Sequence, residues 1–344
     1  MDSAFRNIGI NGAMRIDQRN AGLPVAASNG TFVADRWHFS GADANTFETQ
    51  QNPTSISPPK GFESHLGLIV KHARTLNAGD WFNIVQIIEA DRLAYTGFGT
   101  PKAHALTLSF WVRSSIIGLH SGGLANANST RSLPFVFEIA TANTWEHKAV
   151  CIPGDTMGDW NTEGCGKGMA LVFNLAAMPP NLAPAGSWID GNHICAEGAV
   201  SVAGTAGATF CLTGVQLEVG TKASAFETLA HDDELALCRR YFERLGESRE
   251  LTAIGDSFSS GDSTIFANIP FRAEKRSAPT VDLQDDGNFA FVTKGNTLHV
   301  STLSVIGAGP TALILAGKSE GASGGLNGQL HVSGLSGINL SSEL

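Results

Sequence analysis

Short stretches of alternating apolar and polar residues run through the first 230 residues, separated by Gly, Pro, Asn and Asp. A side-chain period of two places alternate residues on opposite faces of an extended chain, so each stretch buries one face and wets the other. The clearest is ALTLSFWVRSS, where Leu106, Leu108, Phe110 and Val112 share one face and Thr107, Ser109, Trp111 and Arg113 the other. Phe135, Phe137 and Ile139 alternate with Val136 and Glu138, and Val215, Leu217 and Val219 with Gln216 and Glu218. HLGLIV, FNIVQII, WEHKAVCI and GMALVFNL are further candidates of similar length. With no helical stretch between them, these segments predict antiparallel sheets packed as a sandwich. They exclude a parallel α/β domain, whose strands are apolar on both faces and alternate with helices.

Composition narrows the function classes. A length of 344 residues suggests about two domains. Lys plus Arg number 23 against 32 Asp plus Glu, a net charge of −9, and no basic stripe marks a nucleic-acid binder. The 42% hydrophobic fraction argues against disorder, and the low charge with 39 Gly points to strands and turns. The N-terminal MDSAFRNIGINGAMRIDQ lacks a signal-peptide apolar core, and no apolar run is long enough to span a bilayer. Synthesis in a reducing cytoplasm, without membrane insertion, is expected. The odd, widely spaced set Cys151, Cys165, Cys195, Cys211 and Cys238 contains no C-x-x-C pair and reads as small buried hydrophobes.

One segment breaks the pattern. In HDDELALCRRYFERLGES, Leu235, Cys238, Phe242 and Leu245 recur at helical spacing, with Asp232, Asp233 and Glu234 at the N-terminal end and Gly246 at the other. This predicts one helix over 232–245. It divides the chain into a β-sandwich at 1–230, a linking helix at 231–246 and a C-terminal β domain at 247–344. In that last part STIFANIPF alternates as a strand, and TVDLQDDGNFAFV predicts a hairpin around Asp286-Gly287. GNTLHVS and NGQLHVS repeat Leu-His-Val-Ser, placing His299 and His331 in matching positions.

Few residues suggest chemistry. Gly255-Asp256-Ser257 resembles the first block of GDS-type esterases, but neither His299 nor His331 has Asp three residues before it, so a turn between strands is the expectation. The acidic loop with Asp155, Asp159 and Glu163 allows three readings: a solvated turn, a calcium site, or a carboxylate pair for glycoside hydrolysis. Trp37 and Trp111 sit in strand-like runs and are expected to be packed. Trp81 and Trp160 each follow Gly-Asp in loop-like sequence and are candidates for exposed platforms that stack on sugar rings. Trp81, Trp160, Asp155 and Asp159 are therefore the expected carbohydrate-binding set. No His pairing supports a metal site and no phosphate-binding loop is present, so no cofactor is expected.

Several ordered motifs together resemble a known group. NGAMRIDQRNAG with VADRW is similar to the N-terminal signature of many phage tail-fibre and related virion proteins. SFWVRSS and IPGDTMGDW resemble the body of the same jelly-roll domain, LTGVQLEVGTKASAFE with ELALCRRYF is the most specific match, and FRAEKRSAPTV resembles the segment after the helix. The resemblance covers about residues 5–282. It implies a mainly β chain: an antiparallel jelly-roll β-sandwich like carbohydrate-binding modules, a short linking helix, and a smaller C-terminal β domain. It also implies a virion fibre or head spike, of a kind found in gene transfer agents as well, that attaches to host surface polysaccharide. Other virion proteins would be partners, and the chain would form a homo-oligomer, a trimer or a pentamer. The alternatives are a structural adaptor carrying a separate adhesin, and a depolymerase or esterase.

Overall fold

The computed structural model describes residues 6–53, 55–246, 251–284, 288–333 and 336–344. The alternating segments are strands. Leu106–Ser114 turns Leu106, Leu108, Phe110 and Val112 into the core with no exposed surface. Phe135, Phe137 and Ile139 are buried in the same way from Arg131–Ile139. In Thr209–Val219, Val215 and Leu217 are buried, but Val219 is exposed where the strand ends.

The chain divides into two compact units, one running to Glu234 and including Leu344, the other running from Leu235 to Glu343. The first unit holds two large sheets. The six-stranded sheet has the order Val25–Ala27, Phe47–Gln51, Leu66–Val70, Thr209–Val219, Leu106–Ser114 and Glu146–Ile152. The seven-stranded sheet has the order Ile189–Asp190, Arg131–Ile139, Gly118–Asn126, Lys167–Ala177, Trp81–Glu89, Trp37–Gly41 and Phe32–Ala34. From Trp81 onward the chain crosses repeatedly from one sheet to the other, which is the winding of an antiparallel jelly roll. One apolar core lies between the sheets, with Trp37, Phe39, Phe47, Phe82, Phe110 and Phe173 among its members. Phe110 meets Phe173 edge-on at 4.9 Å between centroids, the arrangement that aromatic quadrupoles favour.

The helix is shorter than its periodicity predicts. It spans His231–Arg239, with Asp232, Asp233 and Glu234 in the first turn, where the helix dipole favours negative charge. The Tyr241 N–H then bonds the Cys238 carbonyl at 3.0 Å, a tightened turn that ends it. Phe242–Leu245, expected to be helical, is a strand paired with Gly337–Ser341. Pairing with a segment nearly a hundred residues away buries Phe242 and Leu245 and overrides the local helical spacing.

In the second unit, Phe242–Leu245, Gly337–Ser341 and Thr280–Gln284 form a three-stranded sheet. A seven-stranded sheet has the order Asn296–His299, Phe289–Thr293, Asn327–Val332, Thr252–Ser259, Thr264–Pro270, Ala312–Lys318 and Ser301–Ala308. The hairpin expected at TVDLQDDGNFAFV does not form: its two arms belong to different sheets. Asp286 and Gly287 lie outside the described residues. Val281 and Leu283 pack beside the core from one sheet while Phe289 and Phe291 are buried from the other, so each arm follows its own apolar face. The two Leu-His-Val-Ser segments flank Phe289–Thr293 in equivalent register, with Ala290 opposite both His299 and His331 and Phe291 opposite both Leu298 and Leu330.

None of the five cysteines forms a disulfide among the described residues. Cys195, Cys211 and Cys238 are buried as expected. Cys151 and Cys165 are exposed, Cys151 because it falls on the outward face of Glu146–Ile152. Among the described residues no helix is long and apolar enough to cross a membrane.

Candidate functional site

The Trp81–Glu89 strand sends Phe82, Ile84 and Ile88 into the core, which leaves Trp81, Asn83, Val85 and Ile87 on the outer face of the seven-stranded sheet. Strand register extends that face sideways. His38 lies opposite Val85, Val85 opposite Val172, and Val172 opposite Gly123. One row along, Ser40, Asn83, Asn174 and Ser121 follow each other across the sheet. The face is thus an apolar floor next to a polar row.

The segment from Met178 to Ala196 folds over part of this face. Ile194 joins Val85, Ala125, Ala170 and Val172 in a small apolar cluster of its own, separate from the main core. Gly123 makes this close approach possible: a Cβ there would stand 2.8 Å from the Ile194 Cα and 2.9 Å from its carbonyl oxygen. The Cys195 N–H donates to the Asn181 carbonyl at 3.3 Å, and the His193 N–H to the Ser132 Oγ at 2.8 Å, fixing the segment at both sides.

Between this segment and the outer strands lies a groove of about 280 Å³. Trp81 lines it, half-buried, with its indole N–H donated to the Ser40 Oγ at 3.0 Å. Asn83 accepts from the Asn174 amide at 2.7 Å. Asn181 and Asn192 add amides from the covering segment. His38 and Lys167 are the titratable lining groups, and no carboxylate lines the groove. Burial, helped by the nearby Arg36 and Lys167 charges, pulls the His38 pKa down to about 4, so the ring is neutral at pH 7. Burial also lowers the Lys167 pKa. An apolar floor, an indole and several amides suit a ligand with both C–H faces and hydroxyls, and no cofactor is needed to hold it.

The four residues expected from sequence do not converge. Trp81 is in the groove. Asp155 is 2% exposed and takes a bidentate ion pair from Arg131, Nε to Oδ2 at 3.0 Å and Nη2 to Oδ1 at 2.8 Å. Trp160, 9% exposed, donates its indole N–H to the same carboxylate at 3.0 Å and packs edge-on to Phe98 at 4.8 Å and Trp188 at 5.2 Å. The expectation of an exposed platform at Trp160 is therefore corrected, as is that of a ligand-facing Asp155: each is consumed by the other. Asp159 is exposed, and its carbonyl accepts from Asn126 at 2.9 Å. With Asp155 locked inward by Arg131 and Trp160, it is not available to pair with Asp159 at a ligand, and among the described residues no cluster of three metal-ligating side chains occurs. Trp37 is fully buried and Trp111 half-buried. Ser257 lies within a strand rather than in the expected turn, and its Oγ is buried with no hydrogen-bond partner among the described residues, so no base activates it.

Sequence reasoning missed His38, Asn83, Lys167, Asn181 and Asn192. A signal was present in WFNIVQIIE, which is apolar on both faces with one Asn interrupting the outer set. An antiparallel strand apolar on both sides has something covering its outer face.

No family model matches the chain, and no curated protein matches it. Among solved structures, it is similar to the enzymatically active domain of tailspike protein 4 of bacteriophage CBA120, with 12% identity over 57% of this chain and 21% of that one and a TM-score of 0.31. The chain thus spans about a fifth of that domain's length. It is similar to the carbohydrate-binding module TmCBM61 in complex with β-1,4-galactotriose, with 12% identity over 63% of this chain and all of that one and a TM-score of 0.31. It is also similar to the family 11 carbohydrate-binding module of a Clostridium thermocellum cellulase, with 9% identity over 55% and 90% and a TM-score of 0.28.

Proposed function

We propose that this chain binds polysaccharide, without cleaving it, through the groove on the outer face of the seven-stranded sheet of its first unit. The observation that carries this reading is the lining itself: Trp81, three amide side chains and an apolar floor, with no carboxylate to act as acid or base. The groove follows the strand direction. The seven residues from Trp81 to Ile87, whose outer face lines it, extend about 20 Å, which suits a linear stretch of sugars rather than a single terminal ring.

The biological setting rests on the ordered sequence motifs. They support a virion fibre or spike protein, made in the host cytoplasm and displayed on the particle, that attaches to host surface polysaccharide. The jelly-roll unit provides the recognition surface. The second unit, which begins within the His231–Arg239 helix, serves as the oligomerisation or tip region. Glycan-array and calorimetric titrations with purified protein test the reading. Binding to host-derived polysaccharide that is lost in Trp81→Ala, with chain length of the polysaccharide unchanged on incubation, is the expected result. Binding that survives Trp81→Ala at full strength, or steady loss of polymer length, overturns it.

A further inference from the structure

The charge of the groove is the opposite of the charge of the chain. The sequence carries 32 Asp plus Glu and a net charge of −9, yet the groove is lined by one cationic side chain, Lys167, and by no acid. Lys167 begins the strand Lys167–Ala177 and stands opposite Glu89, at the far end of the groove from Trp81, which lies opposite Ala177. Its side chain is half-buried, burial lowers its ammonium pKa, and among the described residues no carboxylate, Glu89 included, forms an ion pair with it. Nearby His38 is neutral at pH 7 and offers no negative charge. An ammonium taken partly out of water without an ion-pair partner is costly, and a ligand anion placed beside it recovers that cost.

From this we propose that the groove selects an acidic saccharide, a glycan chain whose anionic substituent sits against Lys167 while another sugar of the same chain lies at Trp81. The shared chemistry is an anionic group on sugar, whether a uronate carboxylate or a sulfate. The proposal rests on the groove being the polysaccharide site. A neutral glycan would fill the floor and the amides equally well but would leave the ammonium without a counter-charge. Local sign, rather than the overall charge of −9, decides at this range, because distant surface carboxylates are screened within about 10 Å in ordinary buffer.

The test uses matched pairs titrated calorimetrically against the full chain: oligogalacturonate and its carboxyl-reduced form, and a sulfated dextran oligomer and its unsulfated parent. The wild type is expected to bind at least one acidic member about tenfold more tightly than its neutral match, the size of one charge-assisted hydrogen bond. The pair showing the preference distinguishes carboxylate from sulfate. Lys167→Met is expected to bring the ratio close to one, Lys167→Arg to keep it, and Lys167→Glu to invert it, each variant being checked for an unchanged melting curve. Equal binding of acidic and neutral members by the wild type overturns the charge selection while leaving polysaccharide binding intact. A preference that persists in Lys167→Met overturns the role of this residue. Absence of binding to every member, together with no binding on a wider glycan array, overturns the groove as a polysaccharide site and the selection with it.

Discussion

Arg131 holds Asp155 through two parallel hydrogen bonds of 3.0 and 2.8 Å, and the carboxylate so held accepts the Trp160 indole N–H. The Arg131 Nη1 reaches on to Asp190 at 2.9 Å, tying the loop after Ile152 to the short strand Ile189–Asp190. Both members of the main pair are nearly inaccessible, with side chains 8% and 3% exposed. Removing Asp155 leaves a buried guanidinium with only the exposed Asp190 as ion-pair partner among the described residues.

Asp155→Ala is accordingly expected to destabilise the first unit by about 3 kcal/mol, the usual cost of breaking a buried pair from one side. Denaturant melts followed by Trp fluorescence check this directly, since Trp160 loses its acceptor. A loss below about 1 kcal/mol would show that the pair is solvated in solution.

Gly123→Ala probes the wall of the groove. The added methyl meets backbone atoms of Ile194 that cannot rotate away, so the covering segment must shift. Overpacking of this kind costs roughly 1–3 kcal/mol, and the displaced Asn192 and Ile194 are expected to weaken glycan binding more than they lower the melting temperature. Parallel binding and melting curves separate the two effects.

Trp81→Ala should do the reverse of Asp155→Ala. Trp81 is only half-buried and anchored by a single bond to Ser40, so stability changes little, whereas binding is expected to fall by roughly thirtyfold, as for an interface anchor worth about 2 kcal/mol. Trp81→Phe retains an aromatic face and is expected to recover part of the loss.

Acid should destabilise the first unit through its buried histidines. Burial lowers the pKa values of both His38 and His65 from 6.5 to about 4, and both ring nitrogens of His65 lack hydrogen-bond partners among the described residues. The unfolded chain takes up protons at these rings below pH 6.5 while the folded chain does not, so stability is full above pH 6.5 and falls between 6.5 and about 4. For fully buried His65 the loss approaches about 3 kcal/mol across that window. Replacing it with Leu, which cannot charge, should flatten the pH profile by up to one proton, measurable as melting temperature against pH.

The strand set was readable because a sandwich writes its burial pattern into alternate residues, as in Leu106, Leu108, Phe110 and Val112. What was not readable depends on distant partners. Phe242 and Leu245 fit a helix as well as a strand, and only Gly337–Ser341 decides between the two. The arms around residues 285–287 look like a hairpin until each finds a different sheet. The groove was half-legible: Trp81 stood out by its type, while Lys167 and Asn192 are ordinary surface residues until register and the covering segment bring them to one face. Trp160 misled because Gly-Asp-Trp reads as a loop, and nothing local shows that Arg131 turns Asp155 inward to receive it.

The twin segments beside Phe289–Thr293 have a consequence for assembly of the second unit. Each offers the middle strand the same Leu and His at the same rungs, and the next rungs tell them apart: Val292 and Thr293 face Thr297 and Asn296 on one side, Gln329 and Gly328 on the other, where a Cβ at Gly328 would collide with the Val292 carbonyl oxygen. Their other edges differ as well: Asn327–Val332 continues into Thr252–Ser259, whereas Asn296–His299 ends the sheet. The repeated tetrapeptide therefore serves an edge strand and an interior strand at once, and the small residue at Gly328 marks the copy that the sheet encloses on both sides.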